Sequence, residues 1–350
     1  MSIFRCLFLA IATVMLSLTL ACSQTPTIGD SSIQLPSAVL IATTIDNYSG
    51  KTKININAAI LPELDKLEAK LGVPALSDRI QASRPYSSTE ELVKKNVVTQ
   101  EQFDKIKDTI TIEEVVLTGV ARDVDYMTKL GLMKGHLVVA KELLALQQPQ
   151  EAEPHIGHPV EEIYIDMEDQ LNERNVKEFK TTLINLQDLV KSKPEDAKVK
   201  SDLVASMESI DEAIAVLPAD QRSSPEFVLQ VINGLLEAAA SEYGAAIANG
   251  KVAAAIEYQD SYGFVSYVNS LYEGISLAMA EENPEAHKAI EASMSELTKV
   301  WPSALPPTAP VKTPEQVAQL VQTIEQNSQL VMLRTRGTPM SFAGDPLSIS

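Results

Sequence analysis

Residues 225–280 read PEFVLQVINGLLEAAASEYGAAIANGKVAAAIEYQDSYGFVSYVNSLYEGISLAMA, two long apolar-periodic runs, 225–248 and 252–280, on either side of Asn249-Gly250. Apolar residues recur at helical spacing in both runs, each run is far longer than a strand, and Asn-Gly is a strong breaker. The stretch therefore predicts a helical hairpin. Such a hairpin places Glu242 opposite Glu257, and Glu257-x-x-Asp260 sets two acids on one helix face. Two readings of these acids stay open, a solvated face or a set of metal ligands.

Outward from this hairpin the same periodicity continues. It marks helices over 113–146, 159–171, 177–192, 198–216 and 284–300, with Pro149, Pro154, Pro194, Pro218 and Pro284 among the breakers. Connections are short, so consecutive helices are expected to pack antiparallel as neighbours in a bundle over 113–300. A Pro-rich spacer, 301–314, leads to a terminal helix, 315–336, and a tail, 337–350. Hydrophobic residues make up 45% of the 350-residue chain but aromatic residues only 5%, which favours helices over a β-rich core. The expected fold class is all-α: a small helical domain near the N-terminus followed by an antiparallel helical bundle.

The first segment reads differently. Arg5 precedes an apolar run from Leu7 to Leu20 that is short for a membrane span, and Ala21-Cys22 closes it where a cleavage site belongs. Leu18-Thr19-Leu20-Ala21-Cys22 resembles the lipobox of bacterial lipoproteins. That resemblance implies acylation of Cys22 after removal of a signal peptide, 1–21, and attachment to a membrane through the lipid. Residues 22–50, rich in Ser, Thr and Pro, are expected to form a flexible tether. The chain's only two cysteines are Cys6 and Cys22, so the mature body holds neither an internal disulfide nor a cysteine metal site. The expected location is extracytoplasmic, on the periplasmic face of a membrane or its equivalent.

Residues 51–112 form a run of short helical units with Asn57, Ser88 and Thr99 as expected caps and Ser88-Thr89-Glu90-Glu91 in the form of a capping box. Ile54-Asn55-Ile56-Asn57-Ala58, Leu71-Gly72-Val73-Pro74-Ala75-Leu76-Ser77-Asp78-Arg79-Ile80 and the segment from Tyr86 to Leu92 carry a further resemblance. Together they resemble the helix-hairpin-helix domain of the ComEA and PsbU type. The resemblance implies that Gly72, Val73, Ala75 and Arg79 in one hairpin, and Asn96 and Thr99 in the other, face DNA or a protein partner. DNA-binding hairpins use paired glycines so that backbone N–H groups reach a phosphate. Here Gly72 lacks its partner glycine, and Asn96-Val97-Val98-Thr99 has none. Ten Lys or Arg meet nine Asp or Glu between positions 51 and 108, and the whole chain carries a net charge of −18, so DNA binding is expected to be weak or absent. Docking of a partner is the favoured use, and DNA capture for uptake, of the ComEA kind, is the alternative.

Three of the four histidines cluster: His136, His155 and His158. A helical hairpin turning near Gln147 brings positions 136 and 158 opposite each other, and His158-x-x-Glu161 shares one face. One reading is a helix start at Pro159 with Glu161 and Glu162 answering the helix dipole. The other is a metal site, formed with Glu242, Glu257 and Asp260, for iron, zinc or copper. The stretch 242–264, with Tyr243, Asn249-Gly250-Lys251-Val252 and Glu257-Tyr258, resembles the helical periplasmic segment attached to some high-affinity iron permeases, which implies iron handling beside a membrane protein partner.

No phosphate-binding Gly-rich loop, zinc-protease His-Glu-x-x-His, nucleophile elbow or cysteine nucleophile occurs in the mature body. The expected function is noncatalytic: an exported lipoprotein whose hairpin domain is a scaffold and whose bundle binds a transition metal or docks a membrane partner. Cys22→Ser is expected to move the protein from the membrane fraction to the soluble exported fraction on fractionation. Unchanged membrane retention would remove the lipid-anchor reading.

Overall fold

The computed structural model describes residues 53–113 and 116–337. The leader, Cys22, the tether and the tail beyond Gly337 lie outside the described residues. The fold is all-α, with four two-residue strands as its only extended pairings among those residues. No helix among them is long and apolar enough to cross a membrane.

The N-terminal module runs β1 (Ile54–Asn55), α1 (Leu61–Leu71), α2 (Leu76–Ala82), α3 (Glu91–Lys94), α4 (Gln100–Ile106) and β2 (Ile110–Thr111). β1 pairs in parallel with β2, Ile54 opposite Ile110, so the two ends of the module are tied together. Its core of Ile56, Leu64, Leu67, Leu76, Ile80, Leu92, Phe103 and Ile106 is separate from that of the bundle. Thr99 caps α4 with Gln102 answering it. The other two expected caps do different work. Asn57 clasps the chain before α3, donating from Nδ2 to the Tyr86 carbonyl and accepting the Tyr86 N–H at Oδ1, both at 2.8 Å. The N-cap of α3 is Glu90 rather than Ser88, without a side-chain cap hydrogen bond, and Glu91 turns back to accept the Ser87 N–H.

The larger part begins with α5 (Gly119–Ala145) and α6 (Pro149–His158), joined by a tight turn with Gln147 at φ 59°. From α6 the chain continues without a break through a π-helical segment, Pro159–Tyr164, into α7 (Ile165–Glu173). The expected helix start at Pro159 is therefore wrong by about ten positions. Pro159 cannot donate to the carbonyl one turn back, and the wider π turn accommodates it inside a continuing helix. Next come α8 (Lys180–Ser192), α9 (Lys198–Ala215) and α10 (Ala219–Arg222).

The hairpin of α11 (Pro225–Ala246) and α12 (Ala255–Glu282) is closed by the antiparallel pair β3 (Ile247–Ala248) and β4 (Lys251–Val252). α13 (Pro284–Thr298) and α14 (Pro314–Gly337) complete a closed ring, since α11 packs on α12, α12 on α13, α13 on α14 and α14 on α11. The intervening Pro-rich segment is held against the bundle. Buried Trp301 donates to Ser261 Oγ at 2.7 Å, and the Tyr243 and Tyr258 hydroxyls donate to the carbonyls of Lys312 and Ser303. The module joins the bundle through α1 against α11, with Ile60 in the bundle's core and a Lys66–Glu237 ion pair at 3.0 Å.

α5 crosses the ring on α12 and α11. At the α5–α12 crossing the two backbones touch at a pair of glycines. A Cβ on Gly263 would overlap the Gly135 carbonyl oxygen and lie 2.9 Å from its carbon, and one on Gly135 would lie 3.1 Å from the Phe264 nitrogen. Gly263→Ala is expected to lower stability by about 1–3 kcal/mol, the usual cost of overpacking a close contact, as read by urea denaturation. An unchanged midpoint would show that the crossing has slack.

Candidate metal centre

The glycine contact sets the position of the residues beside it. His136 follows Gly135 on α5, and Asp260 lies one turn before Gly263 on α12. α6 lies back along α5 and adds His155 and His158. One ligand atom from each of His136, His155, His158 and Asp260 lies within 4.8 Å of all the others. Asp260 Oδ1 is 2.7 Å from His136 Nδ1 and 2.7 Å from His155 Nδ1, while His158 Nδ1 is 3.6 Å from Oδ2. All three imidazoles thus turn Nδ1 toward one carboxylate.

His136, His155 and Asp260 are buried, and His158 sits at the partly open end. Burial pushes the His136 imidazole below its ordinary range, outweighing the attraction of Asp260. Burial works against the charge on His158 as well, but there the hydrogen bond and charge of Asp260, helped by Glu162 and Glu161, win and raise it to about 9. Asp260 is held well below the usual carboxylate range. Burial opposes this, and the imidazoles of His136 and His155 overcome it. His136 Nε2 is buried without a hydrogen-bond partner.

These donors suit a metal. Ligand atoms on a tetrahedral ion at bond lengths of about 2.0–2.1 Å lie about 3.3 Å apart, so the 2.7 Å contacts need only a few tenths of an ångström of spreading. A cation would also relieve the crowding of three imidazoles on one carboxylate.

The remaining predicted residues lie differently. Glu161 is exposed, and Glu162 takes the place beside His158, 4.0 Å from Nε2. His158 and Glu162 stand at i, i+4, ordinary helix-face spacing. Burial pushes Glu162 up to about 7 against the lowering effect of His158. Glu242 is buried but is not among the converging ligand atoms. Its carboxyl hydrogen-bonds Asp65 of α1, which sequence reasoning did not select. Burial and the neighbouring acids Asp65, Asp260, Glu257 and Glu162 raise Glu242 well above its ordinary range. Asp65 is raised to about 7, chiefly by burial. Glu257 is half-buried, raised by burial, and also lies outside the ligand group.

In the module, the N–H groups that open α2 are already engaged. Glu68 accepts from Ala75 N at 2.9 Å, Leu76 N at 2.7 Å, Ser77 N at 3.3 Å and Ser77 Oγ at 2.9 Å. Gly72 is the left-handed end of α1, Val73 packs against the module core, and exposed Arg79 donates to the Pro74 carbonyl. At the second hairpin Asn96 has φ 56°, and Thr99 and Gln102 exchange hydrogen bonds.

Residues 218–335 match the family model described as the iron permease-associated 4-helix bundle domain. The match covers α11 to α13 and nearly all of α14, the closed ring. It contains Asp260 but none of the three histidines. No curated protein and no solved structure matches the chain.

Two carboxyls can hydrogen-bond only while one holds a proton. Asp65 and Glu242 both sit above their unfolded values, so the stability they contribute is full below about pH 4 and is lost as pH rises through their folded values, about 7 for Asp65. Glu242→Gln supplies a permanent donor. The variant is expected to melt above the parent at about pH 8, with the advantage vanishing at acid pH. A lower melting temperature at both extremes would contradict the shared proton.

Proposed function

We propose that this chain is a noncatalytic, extracytoplasmic, lipid-anchored protein that binds a transition metal ion between α5, α6 and α12 and works beside a membrane permease. The convergence of His136, His155, His158 and Asp260 carries the reading. Three imidazoles and one carboxylate are borderline ligands suited to divalent iron, zinc or copper. The match over 218–335 to the iron permease-associated bundle favours iron and a permease partner.

The N-terminal module is read as a helix-hairpin-helix scaffold that docks rather than captures DNA. Glu68 supports this. A carboxylate already occupies the N–H cradle at the start of α2 that a phosphate would need, and it would repel one.

Titration calorimetry of metal-free protein with Fe(II) under nitrogen, Zn(II) and Cu(II) is expected to show one tight site for at least one ion and a matching rise in melting temperature. His158→Ala should remove most of that rise. His287→Ala should keep it, because His287 pairs instead with the Tyr272 hydroxyl at 2.9 Å. Equal melting with and without each ion would overturn the metal reading.

A further inference from the structure

The three imidazoles differ in what stands behind them. His136 Nε2 has no partner, His158 Nε2 lies 4.0 Å from Glu162, and His155 Nε2 lies 2.9 Å from Gln259 Oε1. Gln259 is itself held, since its Nε2 donates to Glu151 Oε2 at 2.6 Å. A carboxylate only accepts, so Glu151 takes the amide's N–H side and turns its oxygen toward His155. That oxygen also only accepts, which puts a proton on His155 Nε2 and makes Nδ1 the nitrogen left to a metal, which would displace the proton that Nδ1 donates to the Asp260 carboxylate at 2.7 Å. Nδ1 is the atom that faces Asp260.

We infer that Gln259 and Glu151 are positioning residues that hold a proton on His155 Nε2 and so reserve Nδ1 for metal, an inference that rests on the metal reading. Glu151 lies one turn before His155 on α6, and Gln259 immediately precedes Asp260 on α12. The relay therefore ties the two ligand-bearing helices together behind the site. Donation of the outer ring N–H to a fixed acceptor orients a metal-binding imidazole and raises its basicity. The Glu151 hydrogen bond polarises the amide and strengthens its carbonyl as that acceptor.

The test has two readouts on the full chain. Long-range nitrogen–proton NMR on metal-free protein reports whether His155 Nε2 carries a proton. Nε2 is expected to be protonated in the parent and to lose its proton in part of the population in Glu151→Ala, where Nδ1 keeps the proton it donates to Asp260. Calorimetry with Zn(II) is expected to show about ten- to a hundred-fold weaker binding in Glu151→Ala, at an unchanged melting temperature of the metal-free form. Adding Gln259→Glu, whose carboxylate accepts from Nε2 without needing Glu151, should restore both the Nε2 proton and the affinity. A parent whose His155 Nε2 carries no proton, or a Glu151→Ala variant with unchanged Nε2 protonation and affinity, overturns the relay. Because the NMR needs no metal, a parent that binds no ion sinks the metal reading while the relay is still decided by the Nε2 proton.

Discussion

The contact of two helix backbones at Gly135 and Gly263 is the constraint from which the site's geometry follows. Side chains ordinarily keep packed helices 8–10 Å apart. Where both contact positions lack a Cβ, the axes come closer, and residues next to the crossing meet with short side chains. His136 and Asp260 flank it, so an aspartate with a two-atom reach can hydrogen-bond an imidazole from the neighbouring helix at 2.7 Å. α6 then needs only the tight turn at Gln147 to bring His155 and His158 back along α5 to the same carboxylate.

Charge balance sorts the acids that crowd around this site. Asp260 is a buried anion whose near surroundings include the acids Glu162, Glu242 and Glu257, and Asp65 lies beyond Glu242. Burial of so many carboxyls is tolerated by keeping protons on them, which is the direction in which Asp65, Glu162, Glu242 and Glu257 are all displaced. Asp260 alone goes the other way, because imidazoles surround it. The anion is thus favoured on the one acid that has imidazole nitrogens around it, while its neighbours are all displaced toward the protonated form.

Helix content, the hairpin at Asn249-Gly250 and the grouping of the three histidines were all legible in the sequence, because each is a local signal of period, breaker or spacing. Asp260 was legible only as a partner of Glu257 on one face. In the fold it turns inward with Gln259 while Glu257 remains half-buried outside the ligand group. Glu161 was selected at i, i+3 from His158, whereas the residue beside His158 is Glu162 at i, i+4, a spacing that a helix face offers equally, so the pattern alone did not choose between them. The Gly135–Gly263 crossing and the Asp65–Glu242 pair join residues more than a hundred positions apart, so neither leaves a trace in any window of the chain. Gln259 was hidden for another reason: a glutamine on an apolar helix face signals nothing until its two partners are seen.

The site also divides unevenly between the two parts of the bundle. The ring of α11 to α14 is a closed unit by its own contacts, and it brings one carboxylate, Asp260, together with the amide of Gln259. A lone carboxylate on that ring would have neither the nitrogen donors that a borderline metal requires nor the counter-charge that keeps it ionised when buried. α5 and α6 supply both, and they lie outside the segment that matches the iron permease-associated bundle. The ligand set is therefore a property of the joint between the ring and the helices that precede it. The nitrogen donors of the cluster thus come from a region that the match does not reach.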